Sequence, residues 1–233
     1  MSPARRAARA GRNLLIALLI GAIVIVAIVV AYVASRPTST PSVLPGTPTT
    51  TTRSAGSSSD IADAAPTGCL GGPSRTNEML LTAQRLASHT TYGAVEVAAA
   101  FFRWAYRYPF PKSSESDQIS KQFVAPRASS EVKDISGSFA RAGDISGGEV
   151  PEGAPFYLST ATGGWLVDQR STDDEVTVQL EGAYVVDGAL SATRTAAISA
   201  TLVWTAGEWR LLRQQAPDAS ALAAGGTRFT AGC

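Results

Sequence analysis

The chain has 233 residues, long enough for one mid-sized domain with appendages, and its 20 basic and 19 acidic side chains nearly balance. Such a balance lacks the basic surplus expected of a nucleic-acid-binding protein. One histidine and two widely separated cysteines give no pattern typical of a zinc site, and the GxSxG and GxxxxGK[ST] motifs are absent. We therefore predict no catalytic residue, no metal ligand, no cofactor and no nucleic-acid partner.

The first element in the chain is a predicted membrane span. Residues 1–13 contain four arginines and no acid, and the run from Leu14 to Val33 has neither a charge nor a proline. A helix of this length extends about 30 Å, the thickness of a bilayer's hydrocarbon core. We predict a transmembrane helix over 14–34 and, from the arginines, a cytoplasmic tail over 1–13. A cleaved signal peptide is the alternative, although its apolar region usually has only about 7–15 residues.

A segment rich in Pro, Thr and Ser follows the span. Residues 35–66 have almost no large apolar side chain, so they cannot bury enough surface to offset the entropy of ordering. We predict a disordered linker over 35–66 and an extracytoplasmic folded domain over 67–233. That domain holds 14 Lys and Arg residues against 17 Asp and Glu residues, which makes it mildly acidic. The predicted location is the cell membrane, as a single-pass protein with a cytoplasmic N-terminus.

The first half of the predicted domain has helical patterns, followed by a separating passage rich in Gly and Ser. Apolar side chains recur there at the three- and four-residue spacing of a helix face. The patterns cover, in order, a helix capped by Ser74 or Thr76 that runs through Ser88, a strongly apolar helix over 94–108 that ends before Pro109, weaker helices over 117–124 and 128–135, and the passage over 136–153.

The second half of the domain has the period-two patterns of strands. Val176, Val178 and Leu180 fall on one face, with polar residues between them. The predicted strands cover 156–160, 164–168, 175–186, 193–204 and 208–214, the last two joined by a turn at Ala206-Gly207. Helices followed by antiparallel strands indicate an α+β fold, with the helices packed on one face of a curved antiparallel sheet.

The two cysteines, Cys69 and Cys233, lie near the first and at the last residue of the predicted domain. On the oxidising side of a membrane a lone pair of this kind is usually a structural disulfide, which here would join the domain's two ends. Free thiols or an intermolecular bond are the alternatives.

A ridge on the second predicted helix is a candidate partner-binding surface. Arg103 and Arg107 lie one turn apart beside Trp104 and Tyr108, and arginine and aromatic residues dominate interface hot spots. The alternative is that these side chains cover the edge of the sheet.

Three further patterns have structural explanations. His89 follows the first predicted helix, where it can bond the last carbonyls. Ser130 and Lys133 match the SxxK spacing of penicillin-binding enzymes, but the companion KTG motif is absent, so the match is expected by chance. Residues 173–175, all acidic, are expected to form a solvated turn.

The order of these parts resembles the NTF2-like superfamily over Gly71 to Gln215. The resemblance depends on architecture, on the helical AAAFFRWAYRYP segment, and on the final VWTAGEWRLLRQQ hairpin with Trp204 and Trp209. It implies a cone in which helices lie in a bent sheet and leave a pocket. Among single-span members, the chain looks most like the membrane scaffold proteins of conjugative type IV secretion in Gram-positive, actinobacterial elements. The Mce-associated proteins of lipid import share the same plan.

The resemblance implies a non-enzymatic scaffold or assembly subunit of a conjugative transfer channel, with other channel or envelope proteins as partners and a possible homo-oligomer. The alternative is a cone that binds a small apolar ligand or assists lipid transport, unless Phe101, Phe102 and tryptophan side chains fill its pocket. Enzymes of the superfamily, such as ketosteroid isomerases, place an Asp base and a Tyr donor in the cone. Asp168, Tyr157 and Tyr184 are the matching residue types here.

Overall fold

The computed structural model describes residues 64–233, which form two layers. The helices that precede the long strands pack on the inner face of one curled antiparallel sheet, and the last helix lies on its outer face, so the predicted α+β class is confirmed. The predicted tail, the predicted membrane span and all but the end of the predicted linker lie outside the described residues. Within 64–233, every helix is too short or too polar to cross a bilayer.

The described residues contain six helices and six strands. The helices are α1 (Asn77–Leu86), α2 (Thr91–Ala105), α3 (Ser113–Gln122), α4 (Ser130–Lys133), α5 (Ile135–Ala142) and α6 (Ala219–Gly225). The strands are β1 (Arg107–Tyr108), β2 (Phe156–Val167), β3 (Glu175–Val186), β4 (Ala189–Thr205), β5 (Glu208–Gln215) and β6 (Thr227–Arg228).

Helix α2 is the centre of the fold. Thr90 caps it, because its side chain accepts a hydrogen bond from the Gly93 backbone N–H at 3.1 Å. Its Ala-rich faces let α1 and the sheet approach closely, and its residues from Gly93 onward are buried with the exception of Glu96. A helix that is apolar nearly all round must lie inside the molecule.

The sheet has the order β1-β2-β3-β4-β5. Strand β6 also pairs with β2, at Gly164 and Trp165, whereas β1 pairs with the start of β2. The predicted strands at 156–160 and 164–168 are one long strand, β2, with a bulge between Ser159 and Gly164. The predicted hairpin at 206–207 is present: Thr205 pairs with Glu208, and both turn residues have positive φ, as a two-residue hairpin requires. The bulge bends β2, and the sheet curls around α2.

Two tryptophans bury large rings between the layers while their N–H groups stay bonded. Trp104 Nε1 donates to Asn77 Oδ1 at 2.8 Å, and Trp209 Nε1 donates to the Ser88 carbonyl at 2.9 Å. Both rings are fully buried. Because a buried N–H without a partner costs stability, these bonds fix how α1 and its following loop sit against α2 and β5.

We expect the Asn77→Ala variant to lose about 1–3 kcal/mol of unfolding free energy, because it leaves the buried Trp104 N–H without an acceptor. Asn77 also donates to the Glu115 carbonyl at 2.9 Å and to Gln118 Oε1 at 2.8 Å, which ties α1 to α3. Urea unfolding measures the change. Gln118→Ala is the matched control: it removes one exposed partner and should cost under about 0.5 kcal/mol. Equal losses in the two variants would contradict this account.

The two ends of the domain form one interlocked unit, here called the clasp (66–69 and 230–233). Cys69 and Cys233 form a disulfide with their Cα atoms 5.4 Å apart. The Thr230 N–H donates to the Pro66 carbonyl at 3.0 Å. The buried Thr160 hydroxyl, at the β2 bulge, donates to the Gly68 carbonyl and accepts from the Cys233 N–H. The clasp is therefore both covalent and built into the sheet.

Several sequence predictions need correction. The second helix stops at Ala105, so Tyr108 lies in β1 and not on the helix. The third helix begins at Ser113 instead of 117. The pattern at 128–135 covers only α4, and the passage at 136–153 contains most of α5, which Asp134 caps by accepting from the Gly137 N–H. Helix α6 and strand β6 had no predicted counterpart.

Candidate functional site

An open cleft of about 710 Å³ lies beside the end of β5, and we call it the β5 cleft. Its walls come from the last turns of α2, from the α4–α5 pair and from the end of β5. The apolar floor consists of Phe101, Trp104, Val132, Ile135, Phe139 and Leu211, and the polar rim includes Ser129, Glu131, Ser138, Arg213, Gln214 and Gln215.

The cleft exists because helix cover stops partway along β5. Leu211 pairs with Leu202 and Gln214 pairs with Ala200, so both side chains point to the inner, helix-facing side of the sheet. Leu211 is buried, whereas Gln214 is exposed. A polar side chain at this inner position agrees with a sheet face that opens to solvent there.

The floor of the cleft is a cluster of aromatic rings. Phe101 packs on Trp104 and Phe123 with ring centroids 6.0 and 5.4 Å apart, and Trp104 meets Phe139 edge-on at 6.2 Å. Phe101 therefore lines the cleft without filling it. Phe102 is fully buried and packs on Tyr106 at 4.8 Å. The two phenylalanines leave the cleft open, so they do not exclude the binding of a ligand there.

The rim carries one charged group that has no partner. The Glu131 carboxylate lines the cleft and forms no ion pair or hydrogen bond with any described side chain or backbone group. Arg213, across the rim, forms an ion pair with Glu175, and Glu175 also pairs with Arg127 at 2.8 Å. The charge of Arg213 is thus satisfied, and the net character of the rim is acidic.

A second groove, of about 800 Å³, lies on the outer face of the sheet and is polar. Thr177 and Thr201 bond each other across β3 and β4 at 2.9 Å on its floor. Asp168, at one end, accepts from the Arg170 guanidinium at 2.9 Å and from the Arg170 backbone N–H at 2.8 Å. These hydrogen bonds lower the pKa of Asp168 to about 2. This carboxylate is therefore ionised at neutral pH and poorly suited to act as a base.

We expect the Asp168 carboxyl to titrate near pH 2 in a ¹³C NMR titration, and the Arg170→Ala variant to raise that midpoint toward the usual value of about 3.9. Because the folded-state pKa is the lower one, the ion pair stabilises the protein above about pH 4 and this contribution is lost as pH falls toward 2. A midpoint that does not move in Arg170→Ala would contradict the assigned cause.

Asp168, Tyr157 and Tyr184, the residue types of an isomerase site, are not brought together. Asp168 lies at the outer groove, whereas Tyr184 points inward and packs on Phe156 at 5.3 Å. Burial raises the pKa of Tyr184 above its usual value. Tyr157 points to the outer side, beneath the Arg75 guanidinium at 4.2 Å from its ring centre. The three side chains face different surroundings and form no common site.

The prediction of a partner-binding ridge is wrong for two of its four residues. Arg103 and Trp104 are fully buried, because α2 lies inside the fold and not at its surface. Arg107 pairs with Glu115 at 3.1 Å, and Tyr108 is partly exposed beside Phe110. Arg107 and Tyr108 remain accessible at the edge of the sheet.

Arg103 holds the segment that enters the domain, here called the strap (67–72). Its guanidinium donates to the Gly72 carbonyl at 2.8 Å and to the Leu70 carbonyl at 2.9 Å. Burial, with a smaller contribution from nearby Arg75, lowers the pKa of Arg103 to about 10. Two turns earlier on α2, Glu96 accepts from the Leu70 N–H at 3.2 Å and from the Thr67 hydroxyl at 2.7 Å. Sequence reasoning missed this role, although two charges seven residues apart on an apolar helix were a usable signal.

His89 does not cap α1 as predicted. Its ring stacks on Trp204 with centroids 4.3 Å apart, and its Nε2 bonds Asp174 Oδ1 at 2.8 Å. The acidic turn at 173–175 is therefore engaged at both Asp174 and Glu175 and is not merely solvated. The SxxK match has no catalytic geometry: Lys133 Nζ donates to the Pro126 carbonyl at 2.6 Å, not to Ser130.

Among residues 64–233, no group of three or more His, Cys, Asp or Glu side chains is arranged to hold a metal ion. Comparison of the chain with protein-family models, with curated proteins and with solved structures finds no match. The resemblance to the NTF2-like superfamily and to secretion scaffolds therefore stays a prediction.

Proposed function

We propose that this chain is a single-span membrane protein whose exported domain acts by binding and not by catalysis, as a scaffold subunit of a conjugative transfer channel of the type IV secretion kind. The observation that carries the proposal is the β5 cleft. It combines an aromatic floor with a polar rim on which Glu131 is unpaired and Arg213 is held by Glu175. Such a surface suits the recognition of another protein.

The chemistry of the cleft supports binding over catalysis. General acid–base catalysis needs a side chain with a suitable pKa, aimed at a reacting atom and usually oriented by a neighbour. Glu131 has no such neighbour, and Arg213 is occupied by Glu175. Among the lining residues, burial raises the pKa of Tyr106, which keeps this hydroxyl neutral at physiological pH, whereas Asp168 and Tyr184, whose pKa values are also shifted, lie elsewhere.

The clasp supports an exported location for the domain. Structural disulfides persist in oxidising compartments and are rare in the cytosol. The Cys69–Cys233 bond agrees in this respect with the cytoplasmic N-terminal tail over 1–13 and the span over 14–34 that the sequence predicts. In the proposed arrangement the domain stands outside the membrane, where it can contact sister subunits or other envelope proteins.

The curled sheet with helices on its inner face is compatible with the cone of the NTF2-like superfamily, and we propose membership on that architecture. Fold alone does not assign function, so the channel role needs its own test.

A second candidate function is binding of a small apolar molecule, as an accessory of lipid import. The cleft volume of about 710 Å³ favours it, because small-molecule sites commonly enclose about 300–1,000 Å³ and have mostly apolar walls. The open rim and the exposed Gln214 count against it, since a lipid chain gains most from an enclosed site.

A crosslinked pull-down of the tagged full-length protein from its native membranes tests the proposal, with mass spectrometry as the readout. Recovery of a conjugation ATPase or other channel subunits is the expected result. Lipid-import subunits, or a retained small molecule without protein, would transfer the assignment to the second candidate. The Arg85→Glu variant, changed on the exposed side of α1 away from the cleft, is a matched control that should recover the same partners.

A further inference from the structure

We infer that the β5 cleft binds an extended peptide segment of a partner protein, which adds a strand to the free edge of β5. One apolar side chain of the peptide enters the cleft, and a basic side chain two residues along meets Glu131. This inference rests on the proposed function in one respect: the partner is taken to be another envelope protein.

The outer edge of β5 is paired along its first half only. Leu211 exchanges two backbone hydrogen bonds with the 123–125 segment, donating to the Phe123 carbonyl at 3.0 Å and accepting from the Ala125 N–H at 2.8 Å. Past Leu212, where the register with β4 shifts, no described residue other than those of β4 bonds the backbone of 213–215. The edge is thus open where it forms the rim of the cleft.

The register shows which backbone groups are available. Leu211 directs its N–H and C=O away from β4, and it lies opposite Leu202. Gln214 lies opposite Ala200, two residues from Leu202 along β4, so its N–H and C=O also point away from β4. An unpaired donor and acceptor on a strand edge form a template for a further strand, which is a common way in which domains bind extended peptides.

The floor supplies a pocket for one anchor side chain. Alternate side chains of an added strand point to the same side, so every second residue of the peptide faces the helices. Phe101 and Phe139 face it there, and the buried Trp104 ring packs behind both of them. A large apolar side chain fits this floor, and its burial supplies the affinity that backbone pairing with the short open edge at 213–215 lacks.

The charge of the rim indicates a basic partner. Glu131 has no ion partner among the described residues. By contrast, the nearby Arg213 pairs with Glu175, and Asp134 pairs with Arg141. A lysine or arginine two positions from the anchor would lie on the same side of the added strand and could reach the free carboxylate. An acidic residue there would be repelled.

Hydrogen–deuterium exchange of the full-length, disulfide-intact protein in nanodiscs tests the inference. The probe is the capped peptide Thr-Val-Phe-Thr-Lys-Val, which carries an apolar anchor and a basic residue two positions later. We expect slower exchange in fragments that cover 211–216. The same peptide with N-methylated backbone amides, or with Ser in place of Phe, should give no protection.

Two variants make the test specific. Gln214→Pro removes the free N–H and should abolish binding of the fluorescein-labelled Lys peptide, measured by fluorescence anisotropy, while Gln214→Ser, its matched control, should retain it. Glu131→Lys changes a surface charge without touching the core, so folding is not at risk. This variant should lower the affinity for the Lys peptide by about fivefold and should bind a peptide with Glu at that position more tightly.

The outcomes separate this inference from the proposed function. The inference is overturned if the Lys peptide gives no protection. It is also overturned if protection appears without the peptide and grows with protein concentration, because a second copy of the chain then covers the edge. Protection by sodium laurate but not by the peptide would assign the cleft to an apolar molecule and overturn it too. Recovery of channel subunits alongside any of these results would leave the scaffold role standing, whereas peptide protection without such recovery would retain the site and reject the role.

Discussion

Replacing Arg103 with alanine should lower the free energy of unfolding by about 3–5 kcal/mol. The side chain is fully buried, so its removal leaves a cavity beside α2. It also leaves the Leu70 and Gly72 carbonyls, which are partly buried, without donors. The strap would then be held on α2 by Glu96 alone. Urea unfolding followed by tryptophan fluorescence measures the loss.

Two matched variants separate the causes of this loss. Arg103→Met keeps most of the volume and loses only the hydrogen bonds, so we expect about 1–3 kcal/mol. Arg85→Ala removes an exposed arginine that pairs with Glu78 on α1, and it should cost under about 1 kcal/mol. If Arg103→Ala were as mild as Arg85→Ala, the strap would not depend on the buried guanidinium.

Loss of the clasp disulfide should have the largest effect of any single change. The bond joins residues 164 positions apart, and chain-entropy arguments assign about 5 kcal/mol to a loop of that length, as an upper value. Cys69→Ser and Cys233→Ser should each produce this loss, and the double variant should lose no more, because all three remove the same bond. Urea unfolding of the three variants checks both expectations.

Reduction provides an independent control for these variants. A reducing agent should destabilise the native chain to the level of the serine variants and leave the variants unchanged. Mass spectrometry without reductant should find one peptide pair that joins Cys69 to Cys233. Free thiols at both positions in the native chain would remove the basis of this prediction.

The strands could be predicted from the sequence where one face is buried and the other is not. Strand β3 begins with strict alternation, and both its limits agree with the structure. Strand β2 appeared as two strands, because its bulge interrupts the alternation, and only the pairing with β3 shows that the chain continues. A bulge depends on a neighbouring strand, so a local pattern cannot report it.

The helices could be predicted by type more reliably than by position. Helix α2 has a long apolar pattern, which predicts a helix. Because it is apolar nearly all round, it is buried, and Arg103 and Trp104 of the predicted binding ridge therefore lie in the core. Helix α5 lies in a Gly- and Ser-containing segment of low helical propensity. Packing of Ile135 and Phe139 beside the cleft supports it, and this is a tertiary effect.

The β5 cleft itself had no sequence signal. Its residues come from three separate stretches of the chain, and none of them has a motif. What creates the cleft is the position at which the helices cease to cover β5, visible only through the exposure of Gln214 at an inner register position. By contrast, the disulfide could be predicted, because the chain has only two cysteines and they flank the domain.

The clasp also determines how the domain responds to mechanical tension. A pull on the chain before Ala64 reaches Cys69 after a few residues and is shared through the disulfide with Cys233. The load then enters the fold at two places together, the strap on α2 and the bonds of Thr160 at the β2 bulge. Neither end can be peeled away by itself. A domain tethered at this point therefore carries tension through both of its ends at once.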